Sequence, residues 1–224
     1  MFDGLEPPNA TQNGPSLTAK HLAAWAALTT VLILASIQWL DRPFADFSHD
    51  FLARPTAALW LVKIGGAPVL IAAGLLATLA AFASGAKYRP VGRAFATALL
   101  AALLAMLAVI ALKQGFGRLW PETWVNNNPS WIANHAFGFY WFHGGVAYES
   151  FPSGHTARTL APCAALWWRM PRLRPLWAAL PMLVVLGLLG SNFHFVSDCL
   201  AGAAVGLIAA LVALRLAPRL RIGR

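Results

Sequence analysis

Long apolar runs alternate along this chain with short polar turns, many of them basic. Six runs stand out, at residues 22–40, 64–84, 94–112, 153–168, 176–193 and 196–214. A helix of about 20 apolar residues spans a bilayer core, so the pattern predicts an all-α polytopic membrane protein with six transmembrane helices. The fourth run is short, and Pro162 interrupts its hydrogen-bond ladder. Residues 41–63 interleave Phe44, Phe47, Phe51 and Leu52 with Asp46, His49, Asp50 and Arg54. That spacing predicts an amphipathic helix lying in the membrane interface. One loop is long, residues 114–151, and it is dense in aromatics from Trp120 to Tyr148. It reads either as an interfacial aromatic belt or as a lid over a lipid-entry surface.

Composition agrees with the pattern. The chain has 224 residues, 58% hydrophobic and 11% charged, which excludes an ordinary soluble domain. A net charge of +9 raises the question of nucleic acid, but the basic residues sit in clusters between apolar runs. That is the positive-inside arrangement, so no nucleic-acid partner is expected. Residues 1–19 are polar and rich in Pro, Asn and Gly, which predicts a disordered tail before a single membrane domain over 20–224. No small-residue cleavage site follows the first run, so it is read as a retained signal-anchor. Cys163 and Cys199 fall inside apolar runs and are read as small core residues.

Six spans place both termini on one side. Lys20, Lys87, Arg89, Arg93, Arg169, Arg172, Arg174, Arg215, Arg219, Arg221 and Arg224 then share that side. It is expected to be the cytoplasmic face of a bacterial-type inner membrane. By parity Lys113, the knot Pro152-Ser153-Gly154-His155 and His194 all fall at the outer, periplasmic face. Gly202 and Gly206, four apart, form a small-residue face that permits close packing but sets no oligomeric state.

Those three outer sites carry the candidate chemistry. A Ser-Gly-His sequence at a helix mouth offers free backbone N–H groups and the positive end of the helix dipole to an anion. Ser153 adds a hydroxyl, Gly154 allows close backbone approach, and His155 titrates near neutral pH. His194 and Asp198 are spaced i, i+4, so on a helix the carboxylate can orient the imidazole and make its other nitrogen a better nucleophile. An acid near hydrocarbon is a functional candidate by default. Lys113 would add a fixed positive charge. Together the three sites read as a phosphate site.

Lys113, then Pro152-Ser153-Gly154-His155, then His194-x3-Asp198 resembles the three-part signature of the type 2 phosphatidic acid phosphatase (PAP2) superfamily. The resemblance covers residues 113–206. It implies a membrane lipid phosphatase in which His194 is the nucleophile and forms a phosphohistidine, with Asp198 orienting it. His155 would protonate the leaving group, and Lys113, Ser153 and the Gly154 N–H would hold phosphate oxygens. It implies no metal and no other cofactor.

Two positions depart from the family pattern. The arginine expected seven residues after the lysine is Trp120, followed by the expected Pro121, and the arginine expected six residues before the nucleophile is Leu188. Arg118 and Arg158 are the candidate replacements, and Asn192 and Ser191 are further donors. The expected activity is hydrolysis of a lipid phosphate or diphosphate at the outer leaflet, with undecaprenyl diphosphate, phosphatidylglycerol phosphate, phosphatidate and lipid A as substrate types. The alternatives are phosphoryl transfer between lipids and an inactive lipid-binding or lipid-translocating protein.

Overall fold

The computed structural model describes residues 18–52, 67–124 and 127–217. Its long elements are all helices. Helix α1 runs from Ala19 to Leu52, capped at its start by the Thr18 hydroxyl, which accepts the His21 N–H. Two π segments interrupt it, Ser36–Leu40 and Ser48–Leu52. The first has a local cause. Pro43 lacks an N–H and its ring crowds the carbonyl four residues back, at Trp39, so the preceding turn widens.

The stretch expected as a separate interfacial helix is, in its described half, the continuation of α1. Nothing between Leu40 and Asp41 breaks the helix, and polar side chains on it, buried or exposed, bond to the rest of the protein. Ser48 donates to the Leu189 carbonyl at 2.7 Å and Asp46 accepts from the Trp131 indole at 2.6 Å. Residues 53–63 lie outside the described residues.

Helix α2 is Ala67–Ala83, α3 is Arg89–Phe116, α4 is Gly154–Arg169, α5 is Arg174–Gly190 and α6 is Val196–Leu216. Proline sits in the first turn of α3 and α5, where its missing N–H has no intrahelical acceptor. Gly117 ends α3 in the left-handed conformation, and a side chain there would collide with the Tyr140 carbonyl.

Among the described residues, four helical stretches are long and apolar enough to cross a membrane: Ala19–Leu52, Ala86–Phe116, Pro171–Gly190 and Val196–Leu216. The six-span expectation is met only to that extent. Helix α2 has 17 described residues and α4 has 16, both below the length that marks a span unaided. Helix α4 is also the least apolar, because Thr156, Arg158 and Thr159 lie in its first turns.

Helices α3, α4 and α6 pack against one another around a core made mostly of alanine. Ala94, Ala98, Ala101 and Ala105 form a buried stripe along α3, and Ala157, Ala161 and Ala165 do the same along α4. Small stripes let backbones approach, which is how helices gain packing energy where the surroundings are already apolar. Gly202 and Gly206 are used inside the chain. A Cβ on Gly202 would strike the Ser153 carbonyl, and one on Gly206 would lie 2.9 Å from the Ala157 carbonyl.

The helix directions set the polarity of the bundle. Lys113 near the end of α3, Ser153 at the start of α4 and His194 just before α6 gather at one end. Lys87, Arg89, Arg93, Arg169, Arg172, Arg174 and Arg215 belong to the opposite ends of the same helices.

Candidate active site

The chain reverses twice at the site end of the bundle. Between α5 and α6, Asn192 adopts a positive φ of 54° and turns the backbone, so that His194 stands at the mouth of α6. At the start of α4, Ser153 caps the helix by accepting the Thr156 N–H at 3.3 Å. The two turns are tied together by the Ser153 N–H, which donates to the Asp198 carbonyl at 3.0 Å.

His194 is 2% exposed. Its Nδ1 lies 3.4 Å from Asp198 Oδ2, and the ring of His155 stands opposite, 6.3 Å between centroids. Burial holds the His194 imidazole below the usual histidine range, while Asp198 pulls in the opposite direction. Asp198 is itself fully engaged. Its Oδ2 accepts from the Ser150 hydroxyl at 2.6 Å and the Phe195 N–H at 3.0 Å, and its Oδ1 accepts from Arg118 at 2.5 Å. Such a carboxylate is fixed in orientation before any substrate arrives.

Lys113 approaches from α3. Its ammonium lies 3.8 Å from the Glu149 carboxylate and 5.6 Å from the Trp120 ring centroid. From α4, Arg158 donates through Nε to the Gly154 carbonyl at 3.0 Å, which holds its guanidinium beside the helix mouth. Lys113 and Arg158 both act electrostatically on His155. The structure therefore brings Lys113, Ser153, Gly154, His155, Arg158, His194 and Asp198 to one place.

Arg118 is placed differently from the expectation. Expected to donate to phosphate, it is instead fully buried, with both terminal nitrogens committed within the protein. Nη1 meets Asp198 and the Ser197 hydroxyl, and Nη2 meets Asp41 at 2.7 Å. Rings of Phe137, Phe139 and Phe195 enclose it. Two carboxylates hold it more firmly than a transient phosphate would, because each is a charge-assisted pair in a dry setting. Ser191 and Asn192 are likewise occupied, donating to the carbonyls of Gly187 at 2.7 Å and Ala45 at 3.1 Å.

The positions where the family carries arginines are packed with apolar side chains. Trp120 lays its ring 5.1 Å from that of His194 and donates its indole N–H to the Val146 carbonyl. Leu188 is fully buried with Val184 and Cys199. Arg118, Trp120, Glu149 and Ser150, from the described parts of the segment between α3 and α4, thus line one side of the site.

Sequence reasoning missed Asp41, Ser150 and the contact of Trp120 with His194. Asp41 carried a signal. It ends an apolar run, where an acidic residue usually has a partner. Ser150 carried none, since a serine in a loop before a proline is ordinary.

The PAP2 superfamily model matches residues 94–222, more than half of the chain. No curated protein and no solved structure matches it. The matched region contains Lys113, the Ser153–His155 knot and the His194–Asp198 pair, in the order and surroundings just described. The chain belongs to the PAP2 superfamily.

Proposed function

We propose that this protein hydrolyses a lipid phosphate or diphosphate through a phosphohistidine on His194. The observation that carries the reading is a buried imidazole whose Nδ1 faces Asp198 while a second histidine stands across from it. Family membership implies phosphatase-type activity on phosphate esters. With Nδ1 turned to the carboxylate, Nε2 is the nitrogen left to attack phosphorus.

In the first step the Nε2 lone pair forms the N–P bond as the P–O bond to the leaving group breaks. His155 gives its proton to that oxygen. Asp198 stabilises the ring as it becomes cationic. Lys113, Arg158, the Ser153 hydroxyl and the Gly154 N–H neutralise the phosphoryl oxygens. In the second step His155, now neutral, takes a proton from water. The hydroxide attacks phosphorus, the N–P bond breaks and inorganic phosphate leaves. No metal takes part.

A lipid substrate is supported by the surroundings. A groove of about 590 Å³, lined almost wholly by apolar side chains from Thr156 to Trp167 and Trp168, runs between α4, α5 and α6. The basic residues gathered at the far end favour a cytoplasmic placement of the termini and a site on the periplasmic face of an inner membrane. Undecaprenyl diphosphate, phosphatidylglycerol phosphate, phosphatidate and lipid A remain the substrate types to test, and passage of the phosphoryl group to a second lipid is a variant of the same chemistry.

A second reading has its own observation. Apolar Trp120 and Leu188 replace two arginines, which would suit a lipid-binding or lipid-translocating protein without turnover. The test is phosphate release from a panel of lipid phosphates in the presence of chelator. Turnover that vanadate inhibits and His194→Ala abolishes supports hydrolysis. Binding of the same lipids by an inert wild-type protein supports the second reading.

A further inference from the structure

The region that matches the family begins at residue 94, yet a residue well upstream closes the acidic side of the site. Asp41 lies in α1 and is 1% exposed. Its Oδ2 accepts from Arg118 Nη2 at 2.7 Å and from the Ser197 hydroxyl at 2.5 Å, and its Oδ1 accepts the Ser197 N–H at 2.9 Å. Ser197 immediately precedes Asp198. One carboxylate from α1 therefore grips both neighbours of the acid that orients His194.

The delivery of this carboxylate is built into α1. The π segment Ser36–Leu40 ends at Asp41, and single π turns re-aim the side chains that follow them. One turn later the Ala45 carbonyl accepts from Asn192, and Ser48 donates to Leu189. These contacts lock the same stretch of α1 to the turn that carries His194.

The charges matter as much as the contacts. Around His194 stand Asp41 from α1, Lys113 from α3, Arg118 and Glu149 from the loop, His155 and Arg158 from α4, and Asp198 from α6. With both ionised, the two carboxylates behind the imidazole share one guanidinium and leave one negative charge in excess. Were Arg118 paired with Asp198 alone, that pair would be neutral and would stabilise a cationic ring less.

We propose that Asp41 is a positioning residue for the reaction. By sharing Arg118 and holding Ser197 it aims Asp198 at His194 and leaves the carboxylate pair a net negative charge toward the phosphorylated ring. The proposal rests on the phosphohistidine reading above.

The experiment uses the full chain in detergent, comparing wild type with Asp41→Asn by turnover and by NMR titration of isotope-labelled His194. The variant is expected to lose at least tenfold in kcat, with KM within about twofold, and its His194 titration is expected to move to lower pH. Wild-type turnover with an unchanged kcat and pH profile in the variant overturns the role of Asp41 and leaves the phosphatase reading intact. An inert wild type whose His194 titration still moves on Asp41→Asn removes the phosphatase reading and keeps the coupling. An unmoved titration overturns the coupling whatever the activity.

If Asp41→Asn alone does not fold, the pair Asp41→Asn with Arg118→Gln removes opposite charges together, which buried networks tolerate better. This double variant keeps one negative charge behind His194. Its titration should match wild type while kcat stays reduced at least tenfold. Wild-type kcat in the double variant overturns the positioning role.

Discussion

The ring of Trp120 lies 5.1 Å from the ring of His194, at the position where the family pattern calls for an arginine. A second contact, to Phe193 at 5.2 Å, places the indole across the turn that carries His194. An aromatic ring thus stands beside the imidazole where the family pattern has a cation. Trp120→Phe keeps an aromatic ring and loses only the hydrogen bond to Val146, so kcat is expected to stay within about threefold of wild type. Trp120→Ala opens a cavity, which costs about 3–5 kcal/mol in a packed core. Phosphate release from Trp120→Ala is expected to fall at least tenfold, measured beside a thermal unfolding curve.

Ser150 donates to the same Asp198 oxygen that faces His194. A hydrogen bond to a charged group contributes about 1.5–3 kcal/mol. Ser150→Ala is therefore expected to reduce kcat by roughly ten- to a hundredfold, the range that energy corresponds to. Unchanged kcat in a folded variant contradicts a role for Ser150 in holding the carboxylate.

The close approach of α6 to the knot makes a sharp prediction about two glycines. Gly202→Ala places a methyl group against the Ser153 backbone and must push the turn at Ser153 outward. Both activity and the unfolding midpoint should fall. Gly115→Ala meets nothing within 4 Å and lies inside α3, where alanine is favoured by up to about 1 kcal/mol. It should leave activity unchanged and raise the midpoint slightly.

The pH dependence follows from the burial of His194. Attack needs the neutral imidazole, and burial lowers the pH at which that form is lost. The acid limb of kcat/KM should accordingly fall below pH 6.5, the ordinary histidine value, so activity is retained as the medium is acidified through 6.5. A limb at or above that value contradicts the desolvated nucleophile.

Much of this was legible in the sequence. The apolar runs announced an all-helical chain, and Lys113, Ser153–His155 and His194–Asp198, each marked by a local signal of hydropathy or spacing, lie together at one end of the bundle. What was not legible depends on long-range pairing. Arg118 looked like a substitute cage residue by its distance from Lys113, but its partners Asp41 and Asp198 come from helices at opposite ends of the chain. The same holds for the stretch after Leu40. Its alternation of Phe44 and Phe47 with Asp46 and His49 suits an interface. Instead, Asp41 is buried against Arg118, while Asp46 and His49 stay exposed and bond to Trp131 and Glu122. The i, i+4 spacing of His194 and Asp198 can be read from the sequence, although His194 stands just before α6 and not on it; a carboxylate shared between three segments cannot be read so.

If His194 carries the phosphoryl group, that group can be trapped on the protein. Wild-type protein quenched during turnover of a lipid phosphate labelled in its phosphoryl group should retain label that survives alkali and is lost in acid. His194→Ala should retain none. Phosphate release by a protein that never becomes labelled, or undiminished turnover by His194→Ala, would contradict the account.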